Sequence, residues 1–409
     1  MATPVFCCGF ECGSGGHWAS FSGAGFSTST VRTGTRSLRV NPTATYSVAD
    51  VQSGVITSSN NFVIRFYVYF ATLPNVNSSI GGCVSGGRTR GVVFKSSDNS
   101  IYAGGSNGSN TFSFGATGIA ITTGVWYRID VKVDISANPH LVDVSVNGVN
   151  CTQYSEAIAA STSSTIRLSS YESASYSGTY DAYYDDLIVS NTLADYPIGA
   201  GYVNHFVPTS DGTHNVAGAA DFRKTLTGVD ITNATTDAYT LVDNIPLDSG
   251  AAASVGTFVN MIAPPNATDY VECIFGPAPG ISTPTTAPRA VEMIAAIAQA
   301  GTGTGNMAIL LRDNATSGTI YTATGVAGVT SYAYKRVHFA TPPSGGSWGI
   351  AGGNGNFNAL RVRYGSPAAL DVNPDQYFAA TMIEAEFAVA SIPNKIVNIN
   401  QAVKRAAYW

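Results

Sequence analysis

Residues 124–135, GVWYRIDVKVDI, alternate without a break. Val125, Tyr127, Ile129, Val131 and Val133 fall on one side; Trp126, Arg128, Asp130 and Lys132 fall on the other. A period of two places one side against a core and the other in solvent, so the segment is a half-buried antiparallel strand. LVDVSVNG (141–148) repeats the pattern, with Val142, Val144 and Val146 against Asp143, Ser145 and Asn147. It ends in Asn147-Gly148, a hairpin-turn dipeptide.

The same punctuation runs through the first half. SLRVN (37–41), NFVIRFYVYF (61–70), GVVFKSS (91–97), SIYAGG (100–105), TFSFG (111–115), STIRLSSY (164–171) and YDDLIVSN (184–191) are short, β-branched or aromatic, and separated by Gly, Asn and Ser. Many short strands with regular turns predict a β-sandwich over residues 1–195. NTLADYPIGAG (191–201) breaks the pattern with Pro and Gly and marks a boundary. A second set of strand-like runs, from GYVNHFVPTSDGTHN (201–215) to YFAATMIEAEFAVA (377–390), predicts a second β-sandwich over 196–392. APRAVEMIAAIAQAG (287–301) suits a buried strand or a short helix, and the strand is preferred. Two domains agree with a length of 409 residues. The tail, 393–409, carries Lys395, Lys404 and Arg405 and ends Tyr408-Trp409. It is expected to act as an arm, with Lys404, Arg405, Tyr408 and Trp409 as interface residues, because a terminal Trp is costly in water.

Composition narrows the partners. Charged residues are 11 % of the chain, against about 25 % in ordinary globular proteins. A net charge of −5 with scattered Lys and Arg gives no basic stripe, so nucleic acid is not an expected partner. No run of 18 apolar residues is present, and membrane insertion is not expected. MATPVFCCGF lacks the charged and apolar regions of a secretion signal. The sequons at Asn77, Asn107, Asn233, Asn266 and Asn314 are therefore read as chance. The cysteines lack disulfide-framework spacing, and Cys83, Cys151 and Cys273 read as buried thiols.

Several constellations could carry chemistry. Cys8, Cys12 and His17 in CCGFECGSGGH are zinc-compatible, although zinc asks for four ligands. A shielded reduced loop or a local disulfide is the competing reading. Asp181, Asp185 and Asp186 could hold calcium. Strand alternation, however, sends Asp185 and Asp186 to opposite faces unless the strand bulges. Glu384 and Glu386 in MIEAEFA share a strand face but lack the intervening Asp of a retaining glycosidase pair, and solvated face residues are expected. The five histidines are isolated in sequence. No cofactor is expected, and no catalytic residue is assigned.

GTRSLRVN, GVWYRIDVKVD, VDVSVNG and YYDDLIVSN, in that order, resemble the concanavalin-A-like jelly roll of laminin-G-like and lectin-like domains. GYVNHFVPTSDGTHN, TTDAYTLVDNIPLDSG and ATDYVECIFGP look like the second domain of a group of tailed-phage virion proteins. The resemblance spans the chain to about residue 280. It implies a non-enzymatic structural component of a virus particle, such as a capsid decoration, fibre or tail-associated protein. Such a protein would be made in the host cytoplasm and would contact itself as a homo-oligomer and other virion proteins. The alternative is a carbohydrate-binding module for host or surface glycans, with Tyr176, Tyr180 and Tyr183 from the tyrosine-rich run 170–184 supplying the sugar-stacking rings.

Overall fold

A computed structural model describes residues 4–13, 18–22, 24–42, 50–53, 56, 58–106, 111–168, 179–217, 222–224, 228–243, 258–261, 269–299, 304–313, 323–327, 333–365 and 376–389. The chain is nearly all β. In its first half the strands are β1 (Pro4–Cys8), β2 (Trp18–Ser22), β3 (Ala24–Ser27), β4 (Ser37–Val40), β5 (Asp50–Ser53), β6 (Asn61–Thr72), β7 (Ser78–Ser85), β8 (Arg88–Lys95), β9 (Ser100–Ser106), β10 (Phe112–Phe114), β11 (Ile119–Ala120), β12 (Trp126–Asp134), β13 (His140–Val146), β14 (Val149–Asn150), β15 (Tyr154–Glu156), β16 (Thr165–Leu168) and β17 (Asp181–Ser190). The second half holds β18 (Gly201–Asp211), β19 (Phe222–Lys224), β20 (Val259–Met261), β21 (Tyr270–Pro277), β22 (Ala290–Gln299), β23 (Thr304–Arg312), β24 (Ala323–Ala327), β25 (Ala333–Phe339), β26 (Arg361–Gly365) and β27 (Gln376–Ala388).

The first seventeen strands form two sheets. One runs β14-β13-β12-β6-β17-β4-β3, with β1 on β17 and β15 on β13; the other runs β10-β9-β8-β7-β16-β5-β2, with β11 on β9. Their inner faces share one core, because alternation drives Phe62, Ile64, Phe66, Val68 and Phe70 of β6 inward with Ile129, Val131 and Val133 of β12. Alternation over 124–135 holds for Ile129, Val131 and Val133, which are in the core, and for Trp126, Arg128 and Lys132, which are part-exposed; Asp130, placed on the solvent side, is fully buried, and Val125, placed on the inner side, is 43 % exposed. Tyr180 also lies in this core, 2 % exposed. It cannot stack on a glycan. The six cysteines are all buried and unbridged.

The second half is also built of strands, as expected. Its ten strands form one hydrogen-bonded sheet, β19-β20-β27-β18-β21-β26-β23-β24, with β22 on the other edge of β27 and β25 beyond it. The long β27 makes this branching geometrically natural, since β20 and β18 share one of its edges end to end. Side chains from both ends of the sheet join one cluster, including Phe206, Phe222, Leu311, Val362 and Phe387. These strands therefore share one core. The 290–299 segment is a strand paired on both edges, as its apolar run suggested.

Candidate functional site

The side chains that looked most like chemistry meet at the junction between the two halves. Four residues line up across adjacent strands: His205 of β18 opposite Glu384 of β27, Glu384 opposite Glu292 of β22, and Glu292 opposite His338 of β25. Strand β1 of the first sandwich lies over this row. Cys7 N–H donates to Glu292 Oε1 at 3.1 Å, while the N–H groups of Gly9 and Glu11 both donate to Glu384 Oε1 at 3.2 Å. Arg336 closes the cluster, donating to Glu384 Oε2 at 3.1 Å, to Glu292 Oε2 at 3.3 Å and to the Cys7 carbonyl. Beside it, Glu386 accepts from Arg65 at 2.8 Å and from Arg289 Nε at 2.7 Å.

Glu384 and Glu386 are thus fully buried, which corrects their expected place on a solvated face. Period two in β27 put both on one face, as read; that face is covered by the first sandwich, which strand patterning within β27 cannot reveal. Burial pushes the Glu384 carboxyl up, while Arg336, Cys8 and the Glu11 amide pull it down. Every oxygen of this pair is held by a donor of the junction, a geometry for fastening two halves rather than for acid–base exchange with a substrate. A small apolar patch of Cys7, Val63, Ile188, Ile198, Val203 and Ala290 fills the space beside the ions.

Asp185 and Asp186 join the same junction through a bulge. Asp185 pairs with Tyr67 and Ile188 with Arg65, so one extra residue is inserted in β17, and Asp186 takes φ +53°. Asn and Asp are the residues that tolerate this left-handed conformation best after Gly. The bulge defeats the alternation that would have separated the two carboxylates, and both meet the 32–33 loop. Asp185 Oδ2 accepts from the N–H groups of Arg32 (2.9 Å) and Thr33 (3.3 Å). Asp186 accepts from Thr33 Oγ1 (2.6 Å), from Val203 N–H (2.5 Å) and from the Arg32 guanidinium. Burial and the neighbouring Asp186 hold the Asp185 carboxyl well above the usual range. The third calcium candidate, Asp181, is elsewhere, in a two-bond pair with Arg39. The three aspartates therefore do not converge. Cys8 Sγ faces Glu384 Oε1 at 3.8 Å, Cys12 is buried, and no metal-sized cluster occurs among the described residues. His17, Tyr176 and the arm residues Lys404, Arg405, Tyr408 and Trp409 lie outside the described residues.

Gly201 shows how tightly the junction is packed. A Cβ there would collide with Arg65 Nη1, Glu386 Oε1 and Arg289 Nη2, all fixed by their mutual ion pairs. Gly201→Ala is expected to destabilise the chain by about 1–3 kcal/mol, read as a lower midpoint in thermal unfolding; an unchanged midpoint would mean the ion pairs are loose.

The exposed side of the first sheet carries a different arrangement. Trp126 of β12, Tyr69 of β6, Tyr183 of β17 and Arg39 of β4 stand directly opposite one another on four adjacent strands. Successive ring centroids are 5.6 Å (Trp126–Tyr69) and 6.0 Å (Tyr69–Tyr183) apart, and the Arg39 guanidinium is 5.7 Å from the Tyr183 ring. Trp126 and Tyr69 are half-buried, Tyr183 is buried with 7 % of its surface exposed, and Arg39 is exposed. Arg39 ends the row with its fork on Asp181, both contacts 2.9 Å. Along the same face, Arg128 pairs with Asp130 at 2.8 Å and Lys132 with Asp143 at 2.6 Å. Each cation is matched by an acid, so the surface is polar without net charge. Tyr183 was among the sugar-stacking candidates and is on this row. Tyr69 and Arg39 were missed, because they come together only through cross-strand register. The one legible signal was Trp126, a large aromatic on the solvent side of an alternating strand.

No protein-family model matches the chain, and no curated protein matches it. Among solved structures, the chain is similar to the cellulose-induced protein Cip1 (9 % identity, 46 % of this chain and 97 % of that one, TM-score 0.37). It is similar to domain 4 of the extracellular GH43 arabinanase AbnA from Geobacillus stearothermophilus, solved with arabinotriose (14 %, 46 % and 93 %, TM-score 0.33). It is also similar to the binding domain of Paraclostridial Mosquitocidal Protein 1 (9 %, 63 % and 70 %, TM-score 0.30). The chain is an all-β protein whose first half is a two-sheet β-sandwich.

Proposed function

We propose that this chain is a non-catalytic carbohydrate-binding protein that holds uncharged glycans on the Trp126–Tyr69–Tyr183 row. The observation that carries this reading is the register: three aromatic rings on three neighbouring strands, closed by the Arg39–Asp181 fork. Aromatic faces pack against the C–H faces of sugar rings, and a paired Arg and Asp offer a donor and an acceptor to vicinal hydroxyls. The matched charges of Arg128–Asp130 and Lys132–Asp143 favour neutral sugars, since neither sign dominates the face. Rings held on rigid strands lose little freedom on binding.

The row supports this reading over the assembly role in a virus particle that the sequence suggested, because aromatics flanked by hydroxyl-compatible polar pairs suit a sugar chain. A glycan array probed with the full chain should give selective binding to neutral oligosaccharides. Trp126→Ala should weaken that binding by about 2 kcal/mol, roughly thirtyfold, as for a central aromatic anchor. Wild-type binding by Trp126→Ala would refute the platform. If the variant instead converts an oligomer to a monomer in light scattering and no glycan is bound, the face is an assembly contact.

A further inference from the structure

Beside the junction, a cleft of about 530 Å³ opens between the 35–36 turn of the first sandwich and strand β18. That volume is the size of a small-molecule site. It shares no residue with the aromatic row. Its lining includes His205, whose side chain is only 3 % exposed. Nδ1 of that ring stands 3.2 Å from Glu11 Oε2, at an angle that makes no hydrogen bond, so the ring is buried with this nitrogen unsatisfied. Arg36 also lines the cleft. Unlike Arg32, Arg65, Arg289 and Arg336, its guanidinium has no carboxylate partner among the described residues; only its backbone N–H is engaged, by Glu11. Asp243 and Tyr239 line it as well, and Pro208 and Pro279 add apolar surface.

These groups define a polarity. A free guanidinium is a fork that matches a carboxylate with two parallel bonds. Asp243 would repel a second anion but accepts from hydroxyls, and the Tyr239 and Pro surfaces suit the carbon skeleton between them. We infer that the cleft binds a small hydroxylated carboxylate, a sugar acid, with its carboxylate on Arg36 and its hydroxyls toward Asp243. The surrounding charges agree. Burial and the Arg36 charge bring the His205 imidazole down to about 4, so it is neutral at neutral pH. Burial pushes the Glu11 carboxyl up to about 8, against the Thr35 and Arg36 donors. Arg36 then faces little competition from Glu11 for an incoming anion.

Isothermal calorimetry of the full chain at neutral pH tests this, with D-glucuronate and D-galacturonate as probes and D-glucose as the uncharged control. One site should be filled by at least one acid, with glucose at least about tenfold weaker. Arg36→Ala should weaken the acid by about tenfold or more while leaving the unfolding midpoint unchanged, because that side chain holds no other group; Arg36→Lys should recover part of the loss. The inference is overturned if neither acid binds, if glucose binds equally well, or if Arg36→Ala binds like the parent. Trp126→Ala must leave acid binding intact; a loss there would place the acid on the aromatic row and overturn the cleft. Acid binding without any neutral-glycan binding would sink the aromatic-row reading alone.

Discussion

Glu384→Ala is expected to cost about 3–5 kcal/mol of stability, the range for stranding one partner of a buried ion pair. The carboxylate accepts from the N–H groups of Gly9 and Glu11 through one oxygen and from Arg336 through the other. Alanine leaves the Gly9 and Glu11 amides buried without this acceptor, and Arg336 keeps only Glu292 and the Cys7 carbonyl. Urea denaturation should show a lower midpoint. Hydrogen exchange should show the Gly9 and Glu11 amides released first, since the lost acceptor is theirs. Glu384→Gln retains an acceptor for the two amides and removes the charge facing Arg336, so it should fall between parent and alanine. A loss below about 0.5 kcal/mol in the alanine variant, within the range of ordinary surface changes, would show that the junction does not depend on this group.

The second large effect is expected at the bulge. Asp186→Ala removes the acceptor for Arg32, Thr33 and Val203, and it puts a β-carbon with no compensating polar group into a left-handed backbone at φ +53°. The lost charge-assisted bonds and the backbone penalty together should cost about 3 kcal/mol or more. Two further variants separate these causes. Asp186→Gly relieves the backbone and keeps the polar loss, while Asp186→Asn keeps the conformation and part of the hydrogen bonding. Asparagine should therefore be the mildest of the three, and equal losses for asparagine and alanine would show that the charge facing Arg32 carries the whole effect.

These two sites mark where sequence reading succeeded and where it stopped. Alternation in 124–135 and 141–148 was enough to assign strand, inward face and hairpin, because a β-strand exposes its two faces through a period that is visible in one dimension. The same rule put Glu384 and Glu386 on one face of β27, and they are on one face. What covers that face is β1, nearly 380 residues away for the Cys7–Glu384 contact. Asp185 and Asp186 fail the rule for a local reason: one inserted residue reverses the facing of the second acid, and that bulge has no composition of its own beyond an Asp able to adopt positive φ.

The sequence by itself determined the strand-rich class, the buried thiols and the inward side of Ile129, Val131 and Val133 and of Val142, Val144 and Val146. Each of these follows from short-range periodicity and from the water affinity of individual side chains. Tertiary structure alone decided that the acids of MIEAEFA and YYDDLIVS fasten the two halves together. It also decided that the ten described strands of the second half join in one hydrogen-bonded network, that Tyr180 is core, and that Trp126, Tyr69, Tyr183 and Arg39 form one row. The reason is cross-strand register: it joins residues far apart in the chain through backbone hydrogen bonds, and those bonds are the same whatever the side chains are.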